Sequence, residues 1–81
     1  MRVRVWLFAA AKQLAEADFV EIDLPAGATV GLLRQRLAAC CAPLGPLARH
    51  MLFAVDYQYV HDETIVPPEA EVACIPPVSG G

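Results

Sequence analysis

Thr29-Val30-Gly31-Leu32-Leu33-Arg34-Gln35-Arg36-Leu37-Ala38-Ala39-Cys40-Cys41 is the stretch that decides the fold. The Thr29 hydroxyl is placed to accept a hydrogen bond from a free amide of a first helical turn, so Thr29 reads as an N-cap. Val30, Leu33, Leu37 and Cys40 or Cys41 then recur at the spacing of a single helix face. Arg34, Gln35 and Arg36 lie mostly off that stripe. Upstream, Pro25-Ala26-Gly27-Ala28 breaks the chain, and downstream Pro43, Gly45 and Pro46 end the helix. The result is one long amphipathic helix, apolar on one side, which needs a sheet to cover.

The flanking segments supply that sheet. Residues 2–9 alternate, with Val3, Val5 and Leu7 on one side and Arg2, Arg4, Trp6 and Phe8 on the other. Ala9 to Ala17 has the composition of a short helix or turn. Phe19 to Leu24 is a second strand, with Val20, Ile22 and Leu24 sharing a face. After the helix, Leu47 to Met51 suits one more helical turn, and Leu52 to Asp56 a third strand. Tyr57-Gln58 is a tight connection into a short strand around Tyr59-Val60, followed by a loop from Asp62 to Pro68. Glu71 to Ile75 is the last strand, with Val72 and Cys74 as its core set, and Pro76-Pro77 halts regular pairing. Two strands, one crossover helix and two or three returning strands make an α+β domain. The arrangement this order predicts is the β-grasp, with one face of a small mixed sheet covered and the other left to water.

Composition narrows what such a domain does. Eighty-one residues make a single domain, 1–81, whose last six residues, 76–81, form an extended tail. The 57% hydrophobic content exceeds that of an average globular chain and leaves a surplus for a partner surface. A net charge of −3 argues against nucleic acid, which calls for a basic stripe. No apolar run is long enough for a membrane span. The alternating start does not read as a signal peptide, so a cytoplasmic protein is expected. Cys40, Cys41 and Cys74 form no CxxC motif, and neither His50 nor His61 stands at ligand spacing from them. They are expected to be small apolar fillers in a reduced protein, and no metal site is expected.

The most informative segment chemically is Glu71-Val72-Ala73-Cys74-Ile75-Pro76-Pro77-Val78-Ser79-Gly80-Gly81. It resembles the terminus of molybdopterin-synthase small subunits, the MoaD family of ubiquitin-like sulfur carriers. Leu7-Phe8-Ala9, Leu24-Pro25-Ala26-Gly27-Ala28-Thr29-Val30, Ala54-Val55-Asp56 and Tyr59-Val60 extend the resemblance over most of the chain. Two positions depart from the family pattern: Asp56 stands where asparagine is usual, and Cys74 where an aromatic or other apolar residue is usual.

The resemblance implies a protein that is not an enzyme on its own. An ATP- and Mg-using activating enzyme of the MoeB type would adenylate the Gly81 carboxylate. A sulfurtransferase, fed by a cysteine desulfurase, would convert it to a thiocarboxylate. The charged carrier would then dock on the large synthase subunit, of the MoaE type, and donate sulfur to the pterin precursor. Repeated transfer builds the dithiolene of the molybdenum cofactor. No cofactor is expected on this chain itself.

The tail fits that chemistry on physical grounds. A carboxylate becomes open to sulfur attack only when an oxygen is turned into a leaving group, as adenylation does. Gly80 and Gly81 carry no Cβ, so the backbone can thread a narrow channel. Pro76-Pro77 starts the tail extended, and six residues reach about 20 Å. With first and last strands adjacent, Phe8 and Ile75 would form an apolar patch beside the tail's exit, rimmed by Tyr59. Phe8, Tyr59, Ile75, Pro76, Pro77, Val78 and Ser79 are therefore the expected partner contacts, and Gly80 and Gly81 the reacting end. Trp6 either joins the patch or packs under a loop. Arg2, Arg4, Arg34 and Arg36, with Asp62 and Glu63, are expected on solvated surfaces. A carrier for thiamine or cysteine synthesis, a ubiquitin-like modifier joined to lysine, and a thiol enzyme using one of the cysteines are the alternative readings.

Overall fold

Alternation in the first residues sets the frame of the molecule. In the computed structural model, which describes residues 1–76, strand β1 (Arg2–Leu7) buries Val3, Val5 and Leu7 and turns Arg2, Arg4 and Trp6 to the other side. The chain continues through α1 (Ala9–Ala15), β2 (Phe19–Asp23), α2 (Val30–Cys40), a 3-10 turn (Ala42–Leu44) and α3 (Gly45–Ala48). Then come β3 (Leu52–Val55), β4 (Gln58–Val60) and β5 (Glu71–Ile75).

The five strands lie in the order β2-β1-β5-β3-β4. β1 runs antiparallel to β2 and parallel to β5, while β3 runs antiparallel to both β5 and β4. A parallel central pair cannot be closed by a tight turn, so the intervening chain must cross over one face. Helix α2 makes that crossing and seats Val30, Leu33 and Leu37, all fully buried, against Val5, Val72, Phe53 and Cys74 in one core. This is the ubiquitin-like β-grasp expected from the sequence.

Local chemistry fixes α2 in place. Thr29 caps it as predicted, its Oγ1 accepting from Leu32 N at 3.2 Å. The next free amides of the first turn are also used: Val30 N donates to Thr64 O at 2.8 Å and Gly31 N to Asp62 O at 2.9 Å. The loop before β5 is thus pinned to the start of the helix. Before the helix, Ala28 N donates to Pro25 O across a turn in which Gly27 has φ +82°, a conformation that glycine adopts without strain.

Several boundaries differ from the sequence reading. Helix α1 stops at Ala15 because Glu16 takes a left-handed φ of 53° and returns its amide to Lys12 O and Gln13 O. The extra helical turn comes earlier than 47–51, since Pro43 and Pro46 occupy first-turn positions where no amide is required. The hairpin turn is Asp56-Tyr57 rather than Tyr57-Gln58, because Val55 pairs directly with Gln58. Both turn residues have left-handed φ, 49° and 70°, as a two-residue type I′ connection demands. Such a conformation costs a residue with a Cβ on the order of 1 kcal/mol.

Arg34 is the main correction among the charges. Only 20% of its side chain is exposed. Its Nη1 donates to Ala48 O and Met51 O at 2.6 and 2.7 Å, and its Nη2 to Asp62 Oδ1 at 2.8 Å. The guanidinium also lies 5.0 Å above the Phe53 ring. It therefore ties α2 to the turn before β3 and to the loop before β5. Periodicity placed it beside the apolar stripe, and its long stem carries the charge over the core's edge.

Leu37 sits at the centre of the helix–sheet contact. Replacing Leu37 by Ala is expected to lower unfolding free energy by about 2–5 kcal/mol, the loss typical of a buried leucine. Urea denaturation measures it, and a near-neutral result would contradict this placement.

Candidate functional site

The face of the sheet away from α2 carries one row of side chains across all five strands. Trp6 pairs with Phe19 on β2 and with Ala73 on β5; Ala73 pairs with Ala54 on β3, and Ala54 with Tyr59 on β4. The sizes along that row run large, large, small, small, large. Two alanines between Trp6 and Tyr59 leave a concavity of about 760 Å³, floored by Ala54 and Ala73. Phe8 and Ile75 line it at the end where β5 leaves the sheet, and Tyr57 and Glu71 line the other end.

Phe8, Tyr59 and Ile75, the expected contact residues of the body, thus meet in one groove. Phe8 is 48% exposed and Tyr59 68%, large for aromatic side chains, and nothing among the described residues covers them. Pro76 is buried, so it anchors the root of the tail instead of offering a contact surface. Pro77, Val78, Ser79, Gly80 and Gly81 lie outside the described residues.

Trp6 belongs to the groove, and among the described residues no loop covers it. Its indole Nε1 donates to Glu71 Oε2 at 2.6 Å, and its ring tilts against Phe19 with centroids 5.1 Å apart. Arg4 lies over Phe19 at 4.4 Å and over Trp6 at 5.9 Å. The cation therefore shields the β2 side of the sheet, and the apolar opening is left on the β5–β3–β4 side. The sequence reading missed Tyr57, 99% exposed at the groove's rim, because it treated that position only as a connection. It also missed that Ala54 faces outward, a phase fixed by its pairing with Tyr59.

Both departures from the family pattern have structural reasons. Asp56 Oδ1 accepts from Glu71 N at 3.4 Å, and Asp56 N donates to Glu71 O at 3.0 Å. That role needs only a side-chain oxygen, which aspartate supplies as asparagine would. Cys74 fills a fully buried site with its thiol directed at Met51 Sδ. The expectation of three buried fillers holds for Cys74 alone, since Cys40 is exposed and Cys41 half-buried at the helix end. Burial, and next to it the neighbouring Cys40, push the Cys41 thiol up. Among the described residues no three His, Cys, Asp or Glu side chains converge as metal ligands. No helix among them is long and apolar enough to cross a membrane.

Residues 5–81 match the ThiS family. The chain is 30% identical over 81 residues to the molybdopterin synthase sulfur carrier subunit of Arabidopsis thaliana, covering all of this chain and 84% of that protein. A putative molybdopterin converting factor, subunit 1, from Pyrococcus furiosus has a similar structure, with TM-score 0.83 and 28% identity. That match covers 96% of this chain and 99% of the other. SAMP1 from Haloferax volcanii superposes with TM-score 0.84 at 24% identity over 100% of both chains, a likeness of fold. Subunit 1 or 2 within a complex of the two subunits of molybdopterin-converting factor from Helicobacter pylori matches at TM-score 0.69 and 18% identity, again over 100% of both chains. The chain is a small β-grasp domain. It belongs to the ThiS family.

The cysteines give a direct check of the described body. Burial pushes the Cys74 thiol from an ordinary 9.0 up to about 12, with Arg34 pulling the other way. Folding raises this pKa, so the unfolded chain releases the proton first. The stability contributed is intact below pH 9 and is lost progressively as pH rises from there toward 12. Alkylation of the native protein at pH 8 is expected to modify Cys40 readily and Cys74 only after denaturation. Equal labelling of the two in the native state would contradict the packing of β5.

Proposed function

We propose that this chain is the sulfur-carrying small subunit of a molybdopterin synthase, with Gly81 as its reacting residue and the Ala54–Ala73 groove as its docking face for the large subunit. The observation that carries the reading is the position of the groove. It opens beside Ile75 and the buried Pro76, at the root of the Gly-Gly tail, on the sheet face that α2 leaves uncovered. A chain of the five residues after Pro76 spans at most about 17 Å. A protein seated on the groove can therefore present its own active site within reach of Gly81. The name of the Arabidopsis relative and the two-subunit complex of the Helicobacter proteins support the choice of partner.

The chemistry proposed for the tail proceeds in two substitutions. The Gly81 carboxylate attacks the α-phosphorus of ATP in a MoeB-type partner, pyrophosphate leaves, and an acyl-adenylate forms. A persulfide sulfur of the sulfurtransferase displaces AMP, and reduction of the resulting S–S bond by a thiol leaves a thiocarboxylate. ATP and Mg are used by the activating partner. Docked on the large subunit, the thiocarboxylate sulfur attacks a carbon of the pterin precursor and displaces an oxygen-bound leaving group; water then cleaves the acyl–sulfur bond of the resulting thioester, which leaves the sulfur on the precursor and returns the carrier as a carboxylate. The body supplies recognition and the large subunit supplies the catalytic groups. This cycle belongs in the cytoplasm, where the three cysteines stay reduced. A carrier for thiamine or cysteine synthesis, or a protein modifier, would use the same activated end and differ in the acceptor.

The reading is tested by intact mass after incubation with activating enzyme, ATP and a sulfur source. A mass gain equal to the exchange of one oxygen for one sulfur is expected at Gly81. Deleting Gly81 should abolish it, and replacing Cys40, Cys41 and Cys74 together by Ala should leave it. A gain that followed the cysteines would move the sulfur to a side chain and end this reading.

A further inference from the structure

Tyr57 is in the wrong place for the fold and in the right place for a partner. The two-residue hairpin between β3 and β4 holds Asp56 and Tyr57 at φ 49° and 70°. Aspartate tolerates the first of these and uses its carboxylate to accept from Glu71 N. The second is the position at which this turn most favours glycine, and a bulky aromatic there is an outlier. Nothing within the described body repays it: the side chain is 99% exposed and makes no hydrogen bond or ring contact among the described residues. What the ring does is extend one wall of the groove, opposite the end lined by Phe8 and Ile75.

We propose that Tyr57 is a second docking anchor for the large synthase subunit, retained at the expense of a relaxed turn; this rests on the docking face proposed above. Phe8 and Ile75 stand at the root of the tail, and Tyr57 stands about 13 Å away along β5, four residues at strand spacing. One contact at the root would leave the carrier free to pivot. A contact at each end of the groove fixes its orientation, and with it the direction in which the tail leaves. The chemistry of the matching surface follows from the lining. An apolar ridge fits between Trp6 and Tyr59 over the two alanines. Beside Tyr57 the rim is acidic, with Glu71 and Asp56 both exposed, so the partner presents a basic group there.

The test compares the full-length protein with its Tyr57→Gly and Tyr57→Phe variants, reading thermal midpoint, self-association and calorimetric affinity for the large subunit. Tyr57→Gly is expected to melt at the same temperature or a few degrees higher, since the turn relaxes. It should bind the large subunit roughly tenfold more weakly. Tyr57→Phe should match the parent in both. A lower melting point for Tyr57→Gly would make the ring structural, and unchanged affinity would make it a bystander; either result overturns the anchor while leaving the docking face intact. A variant that altered only self-association would assign the rim to a second copy of this chain and overturn the proposal. A parent protein that failed to bind the large subunit would overturn both the anchor and the docking face.

Discussion

The parallel pairing of β1 with β5 is the contact on which the rest of the structure depends. It joins residues near the start of the chain to residues near its end, Arg4 opposite Glu71 through Leu7 opposite Cys74. A parallel pair obliges the chain between to cross over, which puts α2 on one face of the sheet and leaves the other bare. It also aligns the exits of both strands. Phe8 and Pro76 therefore emerge at the same end, and the root of the tail and the apolar groove are neighbours by topology. Loosening this pair would separate the proposed docking surface from the proposed reacting tail.

The two faces of the sheet are specified by opposite uses of side-chain size. On the covered face, Val3, Val5, Leu7, Phe53, Val72 and Cys74 fill space against Leu33 and Leu37. On the open face, Ala54 and Ala73 withhold side chains where larger ones would close the groove, while Trp6 and Tyr59 raise its walls. Arg4 caps the neighbouring aromatics and so bounds the apolar area on the β2 side. A surface of this kind contributes little to folding and is expensive to leave exposed, which fits its proposed role as a docking face. The left-handed Tyr57 at its far rim has the same character.

The fold was legible because its determinants are local and periodic. The Val30–Leu33–Leu37 stripe, the Thr29 cap and the alternation of β1 point to the same architecture, and the structure agrees with them. That Phe8, Tyr59 and Ile75 share one face was legible because strand phase fixes which face a residue occupies. Arg34 was not, since a guanidinium reaching two carbonyls and a carboxylate across three segments leaves no trace in spacing. Nor was the groove itself, because a concavity is made by the sizes of cross-strand neighbours, and those depend on register. Tyr57 was missed for a related reason: its strain is visible only once Val55 is seen to pair with Gln58. The cysteines divided by position in the fold, which their count alone does not reveal.

Recognition is proposed to reside in the body and reaction in the tail. The most direct measurement compares two variants, Phe8→Ala and a chain extended by one residue after Gly81, in calorimetric binding to the large subunit and in single-turnover sulfur transfer. The account predicts that Phe8→Ala weakens docking by roughly 1–3 kcal/mol with the fold intact, and that the extended chain docks nearly as well as the parent but transfers no sulfur. If Phe8→Ala left docking unchanged, or if the extended chain still delivered sulfur, the division of labour between groove and tail would be contradicted.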